Sequence, residues 1–297
     1  MTFNSLYIIG NGFDRHHEIP SDYRDFANFL NQNDSETYRN VEEYFPVDEN
    51  FWWEFETRLA DFDADLLLDH AQNFLVSYGA DDWSDAYHHD YEYEIEQVVS
   101  RLSGQMRNRF SDWIRSLPIP DRNSVSTLLH IDPSAKFLNF NYTSTLQRVY
   151  DVPRANVLHI HGCSDKQADR LILGHGWQRA SEDSYARAVD EGTDTRVAGG
   201  YELIDRYFAD TFKPTEKIIS DHSAFFKSLE NIRKIRVLGH SLSDVDKPYF
   251  DAVMENIDTS VVQWEISYHS DANGAKARFE SFGIDSNLVN YEPLSSF

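Results

Sequence analysis

One kind of event recurs along this chain and limits what it can fold into: a short apolar run that stops abruptly in glycine or a polar turn. It occurs at Leu6-Tyr7-Ile8-Ile9-Gly10-Asn11-Gly12-Phe13-Asp14, at Phe137-Leu138-Asn139-Phe140-Asn141-Tyr142-Thr143 and at Leu158-His159-Ile160-His161-Gly162. It occurs again at Leu171-Ile172-Leu173-Gly174-His175-Gly176 and at Val237-Leu238-Gly239-His240-Ser241-Leu242-Ser243-Asp244. Short apolar runs bounded by such turns fit strands buried on both faces, and strands of that kind belong to parallel sheets covered by helices.

The remaining pattern agrees. Residues 5–10, Ala135–Phe140, Asn156–Ile160, Leu171–Leu173, Ile235–Leu238 and Val261–Ser267 read as strands. Helical spacing falls at Ser144–Tyr150, His222–Ile232, Pro248–Ile257 and Asn273–Phe282, and a further helix is expected to start near Ser21. Alternating strands and helices predict an α/β fold with a doubly wound, mostly parallel, Rossmann-like sheet. Residues 34–117 read instead as helical throughout, ending in the amphipathic series Ile95, Val98, Val99, Leu102, Met106, Phe110, Trp113. The expectation is one domain over residues 1–297 with a large acidic helical insertion at 34–117.

That insertion carries 19 acidic residues against Arg39 and Arg58 between positions 34 and 100, and the whole chain has a formal net charge of −23. Such a balance argues against a broad nucleic-acid surface, which needs a basic footprint. The bland reading of the acidic stretch is a solvated helix face. A single cysteine, Cys163, excludes an intramolecular disulfide and a multi-cysteine zinc site. With no long apolar stretch and no signal-like N-terminus, the chain is expected to be cytoplasmic and off the membrane.

In a doubly wound sheet ligands bind beyond the carboxyl ends of the strands, so the five turns are the candidate site. Gly10 and Gly12 would let the backbone approach a phosphate, with Asn11, Phe13 and Asp14 beside them; a structural turn is the competing reading. Arg15 occupies the third glycine position of the dinucleotide fingerprint and no acid-ended second strand follows, which argues against hydride transfer. Asn141 could fix a ribose hydroxyl or a water, or simply cap the next helix. His161 is a candidate general base, since histidine as a residue type titrates near neutrality, or a histidine satisfied by a carbonyl.

Together these residues resemble the AbiH family of bacterial phage-resistance proteins. The resemblance is carried by Ile8–Asp14, Ser21-Asp22-Tyr23 with Phe26, Phe140-Asn141-Tyr142-Thr143, His159-Ile160-His161-Gly162, Gly174-His175-Gly176 and Gly239–Phe250. AbiH proteins in turn look like distant relatives of the sirtuin-like NAD-binding fold. That likeness implies Gly10 and Gly12 facing a diphosphate, Asn141 and His161 as catalytic residues, and Gly239, Ser241 and Asp244 near the nucleotide. Asn11, Phe13, Asp14, Thr143, Gly174, His175 and His240 complete the expected ligand set. Thr143 replaces the aspartate of the sirtuin motif, and the sirtuin zinc cysteines are absent, so a protein deacylase is not implied.

The leading expectation is a phage-defence NAD glycohydrolase that takes NAD as substrate and needs no added cofactor. Two alternatives stand beside it. One is a metal-dependent phosphoester hydrolase or nuclease built on His159 and His161, which would share one face of a strand, with His175, Asp165 or Asp14. The other is a non-catalytic nucleotide sensor. A homo-oligomer is the default expectation, the trigger would come from the phage, and Trp177, Tyr201, Phe208 and Tyr249 are equivalent choices for an adenine pocket.

Overall fold

The computed structural model describes residues 3–79, 89–165 and 170–297. The chain folds into two compact units: residues 1–22, 113–172 and 214–297 form one, residues 23–112 and 173–213 the other. The chain therefore leaves the first unit twice, once after its first strand and once after its third.

The first unit is built on six parallel strands: β1 (Ser5–Ile9), β2 (Lys136–Asn139), β3 (Val157–His159), β4 (Lys234–Leu238), β5 (Gln263–Tyr268) and β6 (Val289–Pro293). Their spatial order is β3-β2-β1-β4-β5-β6. Ile9 lies in register with Asn139 on one side and Leu238 on the other, and Asn139 with His159. Side chains alternate across the sheet. Leu6, Ile8, Leu138, Val237 and Ile266 enter one apolar cluster with Phe226, Phe250 and Phe279. Tyr7, Ile9, Phe137 and Leu238 enter a second cluster with Phe13, Leu146 and Val149. Both faces are thus buried, as the unbroken apolar runs require, and the fold is α/β with an all-parallel sheet.

The expected strand at Leu171–Leu173 is not a strand. Its backbone groups are met by the loops after β2 and β3: Ile172 N donates to His161 O at 3.0 Å, and the Tyr142 hydroxyl donates to Ile172 O at 2.7 Å. Strand β6 lies outside the expected set, because Val-Asn-Tyr-Glu-Pro is polar and ends in proline, a composition that only an edge strand tolerates. The helix expected at 222–232 is only the short Ser223–Lys227, and the helix Thr215–Asp221 before it lies outside the expected set. The helix expected from Ser21 starts at Tyr23, since the Ser21 hydroxyl donates to Asn11 Oδ1 rather than capping.

The second unit is helical. Its longest helices are Tyr23–Asn33, Ser35–Tyr44, Asp90–Ser100 and Thr195–Thr211. A π-helical turn at Arg101–Gln105 joins Asp90–Ser100 to the helix Met106–Ser116, which begins in this unit. The sequence contains no signal that singles out residues 173–213 as part of a helical unit. Some of the acidity here is structural: the side chains of Asp34 and Asp63 accept backbone N–H groups at helix starts, which such caps stabilise by about 1 kcal/mol each. Helices Asp90–Ser100 and Thr195–Thr211 meet closely at Gly200, where a Cβ would lie 2.7 Å from the Tyr91 ring. Among the described residues no helix is long and apolar enough to cross a membrane.

Candidate functional site

From β1 the chain builds outwards to β2 and β3 on one side and to β4, β5 and β6 on the other, so the order reverses between β1 and β4. That reversal is where doubly wound sheets open a ligand crevice. The residues after β1, β2, β3 and β4 all belong to the first unit.

At the reversal the two glycine turns pack on each other. A Cβ on Gly10 would lie 2.5 Å from His240 Cα, and one on Gly12 would lie 2.8 Å from Gly239 Cα. Gly239 itself has φ +64, and a Cβ there would meet Phe13 N at 2.2 Å. Glycine is needed at these positions because backbone meets backbone. The amides are spent as well: Gly10 N donates to Leu238 O, Gly12 N to Gly239 O and Phe13 N to Gly10 O. Ser267 adds a support that the strand pattern does not reveal, its hydroxyl accepting from Gly239 N at 2.7 Å. The Asn11 side chain is tied to Ser21, donating from Nδ2 to Ser21 O at 2.9 Å.

Beyond β2 the expected residues converge. Asn141 is buried, and its Nδ2 donates to Gly10 O at 3.0 Å, across the gap between β2 and β1. Asp14 is buried beside it. The Thr143 hydroxyl donates to Asp14 Oδ2 at 2.6 Å, and the Thr145 hydroxyl to Oδ1 at 2.8 Å. Burial pushes the Asp14 carboxyl up to about 6, against the hydrogen bonds from Thr143, Thr145 and Asn141 that hold it down. Thr145 is not among the expected residues; the signal for it is the Thr-x-Thr spacing just past a strand end.

Beyond β3, His161 is 3% exposed and ringed by aromatics, with Phe140, Tyr249 and Tyr142 at centroid distances of 5.4, 5.6 and 6.1 Å. His159 has other neighbours. Its Nδ1 lies 3.1 Å from Asn141 O and its Nε2 3.1 Å from Gln147 Nε2. The expected shared face of the two histidines is lost because β3 ends at His159 and the chain turns. Asp165 pairs with Arg154 and accepts from Ser144. Among the described residues no three His, Cys, Asp or Glu side chains are grouped to hold a metal ion.

Beyond β4, His240 accepts the Leu242 amide at Nδ1, 2.9 Å, which leaves the ring proton on Nε2, 3.5 Å from Asp246. Leu242 sits at φ +57, a conformation costly for a residue with a Cβ. Ser241 and Asp244 are exposed on this turn. Phe140 packs at 4.5 Å from His240 and so joins the turns after β2 and β4. Tyr249, one choice for an adenine pocket, is fully buried in that aromatic group.

Gly174 and His175 belong to the second unit. There His175 pairs with Phe212 in an isolated parallel bridge, and a Cβ on Gly174 would lie 2.2 Å from Thr211 O. Burial pushes the His175 ring down to about 4. Trp177, Tyr201 and Phe208 lie in the same unit, with Trp177 edge-on to Phe208 at 5.7 Å.

A search among curated proteins returns no match. A family model described as bacteriophage abortive infection AbiH matches residues 6–268, which takes in β1 through β5 and every turn described above. On that match, the chain belongs to the AbiH family of bacteriophage abortive infection proteins.

Proposed function

We propose that the protein acts in abortive infection by hydrolysing NAD at its nicotinamide–ribose bond. The phage abortive-infection role follows from the family. The observation that most supports the reaction is the convergence of Asn141 and Gly10 at the strand-order reversal, with His161 at the end of the neighbouring strand. Breaking an N-glycosidic bond develops positive charge on the anomeric carbon. With its nitrogen bound to Gly10 O, Asn141 has Oδ1 left to orient the attacking water or a ribose hydroxyl. His161 accepts the proton that this water or hydroxyl gives up. The aromatic ring wall around His161 keeps the local dielectric low, which strengthens both interactions.

The diphosphate is not held by the amides of Gly10, Gly12 and Phe13, which are spent internally. The exposed Ser241 on the turn after β4 is the donor this reading assigns to it. A local donor is required because a net charge of −23 repels an anion at long range.

A nucleotide sensor without turnover is the second reading, and the burial of Asn141 and His161 is what favours it. One experiment separates the two. Nicotinamide release from NAD is followed for the wild type, Asn141→Ala and His161→Ala, with and without added divalent metal. Metal-independent release that is lost in both variants supports the hydrolase. Saturable NAD binding with no release supports the sensor, and neither binding nor release removes NAD from consideration.

A further inference from the structure

Asn139 and His159 end the neighbouring strands β2 and β3 in register, and both side chains reach the backbone of Asn141. The Asn141 amide donates to Asn139 Oδ1 at 3.0 Å, and its carbonyl lies 3.1 Å from His159 Nδ1. Its own side chain donates from Nδ2 to Gly10 O at 3.0 Å. Asn141 is thus met at its amide, its carbonyl and its side chain by residues at the ends of β2, β3 and β1.

Which ring nitrogen of His159 carries the proton decides whether the carbonyl contact attracts or repels. A carbonyl only accepts. At 3.1 Å it makes a hydrogen bond if Nδ1 bears the proton, and sets lone pair against lone pair if it does not. Two side-chain amides bear on the choice. Gln147, on the helix Thr145–Tyr150, presents its Nε2 3.1 Å from His159 Nε2. An amide nitrogen only donates, so the ring's Nε2 is the bare, accepting one and the proton of the neutral ring sits on Nδ1. Asn139 Nδ2 also lies near Nδ1, at 3.3 Å, and would prefer it bare. That contact is the longer one, and it follows from the orientation that Asn139 takes to receive the Asn141 amide on Oδ1. Two contacts at 3.1 Å outweigh one at 3.3 Å.

We infer that His159 is a positioning residue: its Nδ1–H holds the Asn141 carbonyl and so fixes the Asn141 side chain on Gly10 O, where the strand order reverses. The histidine serves through Asn141 and not as a metal ligand, since both of its ring nitrogens are engaged by residues after β2. Its bearing on catalysis rests on the NAD-cleavage reading, in which Asn141 orients the water or ribose hydroxyl; the hold itself does not.

The first measurement is made on the wild-type full chain. Long-range nitrogen–proton NMR at neutral pH, with the His159 ring identified by its absence in His159→Asn, reads which nitrogen is protonated. A proton on Nδ1 is expected. A proton on Nε2 with Nδ1 bare, the state in which Gln147 would turn its buried Oε1 to the ring, would overturn the inference.

The second compares two variants of matched shape. His159→Asn keeps the branch at Cγ and can place an N–H where Nδ1 stands, whereas His159→Leu places a methyl group there. Both lose the ring and its contact with Gln147, so the donor to Asn141 is what separates them. The Asn141 backbone amide is expected to exchange with solvent about fivefold faster in His159→Leu than in His159→Asn, roughly the worth of one hydrogen bond. Circular dichroism checks that both fold, and equal exchange in two folded variants would sink the hold. Should His159→Leu not fold, the ring tautomer decides alone. Where nicotinamide is released, His159→Leu is expected to lower kcat about tenfold to a hundredfold against His159→Asn with KM nearly unchanged. Equal kcat in the two would confine His159 to the fold. If the exchange difference is found and the wild type releases no nicotinamide, the hold stands and the NAD-cleavage reading fails by itself.

Discussion

Gly12 donates its amide to Gly239 O at 2.7 Å, so close that a methyl group on Gly12 would sit 2.8 Å from Gly239 Cα. The glycines after β1 and β4 therefore hold the strand-order reversal shut, and their substitution acts on the fold before it acts on any ligand. Gly12→Val and Gly239→Ala are expected to destabilise the first unit by at least 1–3 kcal/mol, roughly the cost of overpacking a core. Thermal denaturation checks this. A Gly12→Val protein with unchanged melting and lost nucleotide binding would mean that the glycine faces a ligand instead.

Asp14 makes stability depend on pH in an unusual direction for a carboxylate. Its folded value is raised from 3.8 to about 6, so the folded state holds the proton more tightly than the unfolded chain. The stabilisation is complete below about 4 and is lost as pH rises through 6, to the extent of about 3 kcal/mol. Asp14→Asn removes that loss. It is expected to melt higher than the wild type at pH 8, with the difference shrinking towards pH 5.

His175 works the other way in its own unit. Its ring is pushed down from 6.5 to about 4 by burial, so its stabilisation is complete above 6.5 and is lost as pH falls towards 4. The size is again about 3 kcal/mol. His175→Gln should flatten the acid side of the stability curve between pH 4 and 6.5, measured by denaturant unfolding at several pH values. An unchanged acid slope would show that the ring is not buried in solution.

The helix Asn11–His16 ends in a pair of bonds in which Ile19 N donates to Asp14 O and Glu18 N to Arg15 O. This is the C-terminal motif that wants glycine in the left-handed region, and Glu18 occupies that place at φ +60 while its side chain is exposed. Glu18→Gly is expected to stabilise by about 0.5–1 kcal/mol, because it removes the Cβ strain and loses no packing. A lower melting temperature would place an unseen contact on the glutamate.

Strands β1 to β5 are legible in the sequence in outline, since they are short apolar runs whose burial on both faces can be read without knowing their neighbours. β6 is hidden because an edge strand can leave much of its length uncovered, so its residues need not be apolar. The run at Leu171–Leu173 looks like a strand because apolarity alone cannot tell a buried strand from a buried loop whose backbone is bonded by His161 and Tyr142.

The site shows the same division. That Gly10, Asn141, His161 and Gly239 stand at strand ends is a property of local sequence, since each follows an apolar run that must stop there. Which of them touch is not. The packing of Gly12 on Gly239, the bond from Asn141 to Gly10, and the enclosure of Asp14 by Thr143 and Thr145 join residues more than a hundred positions apart. They depend on strand order, which the pattern of a single strand does not encode. Residue types and turns were therefore determined by the sequence itself. The partners of those residues, the burial that shifts Asp14 and His175, and the loss of the His159–His161 pairing were decided only when the sheet closed around them.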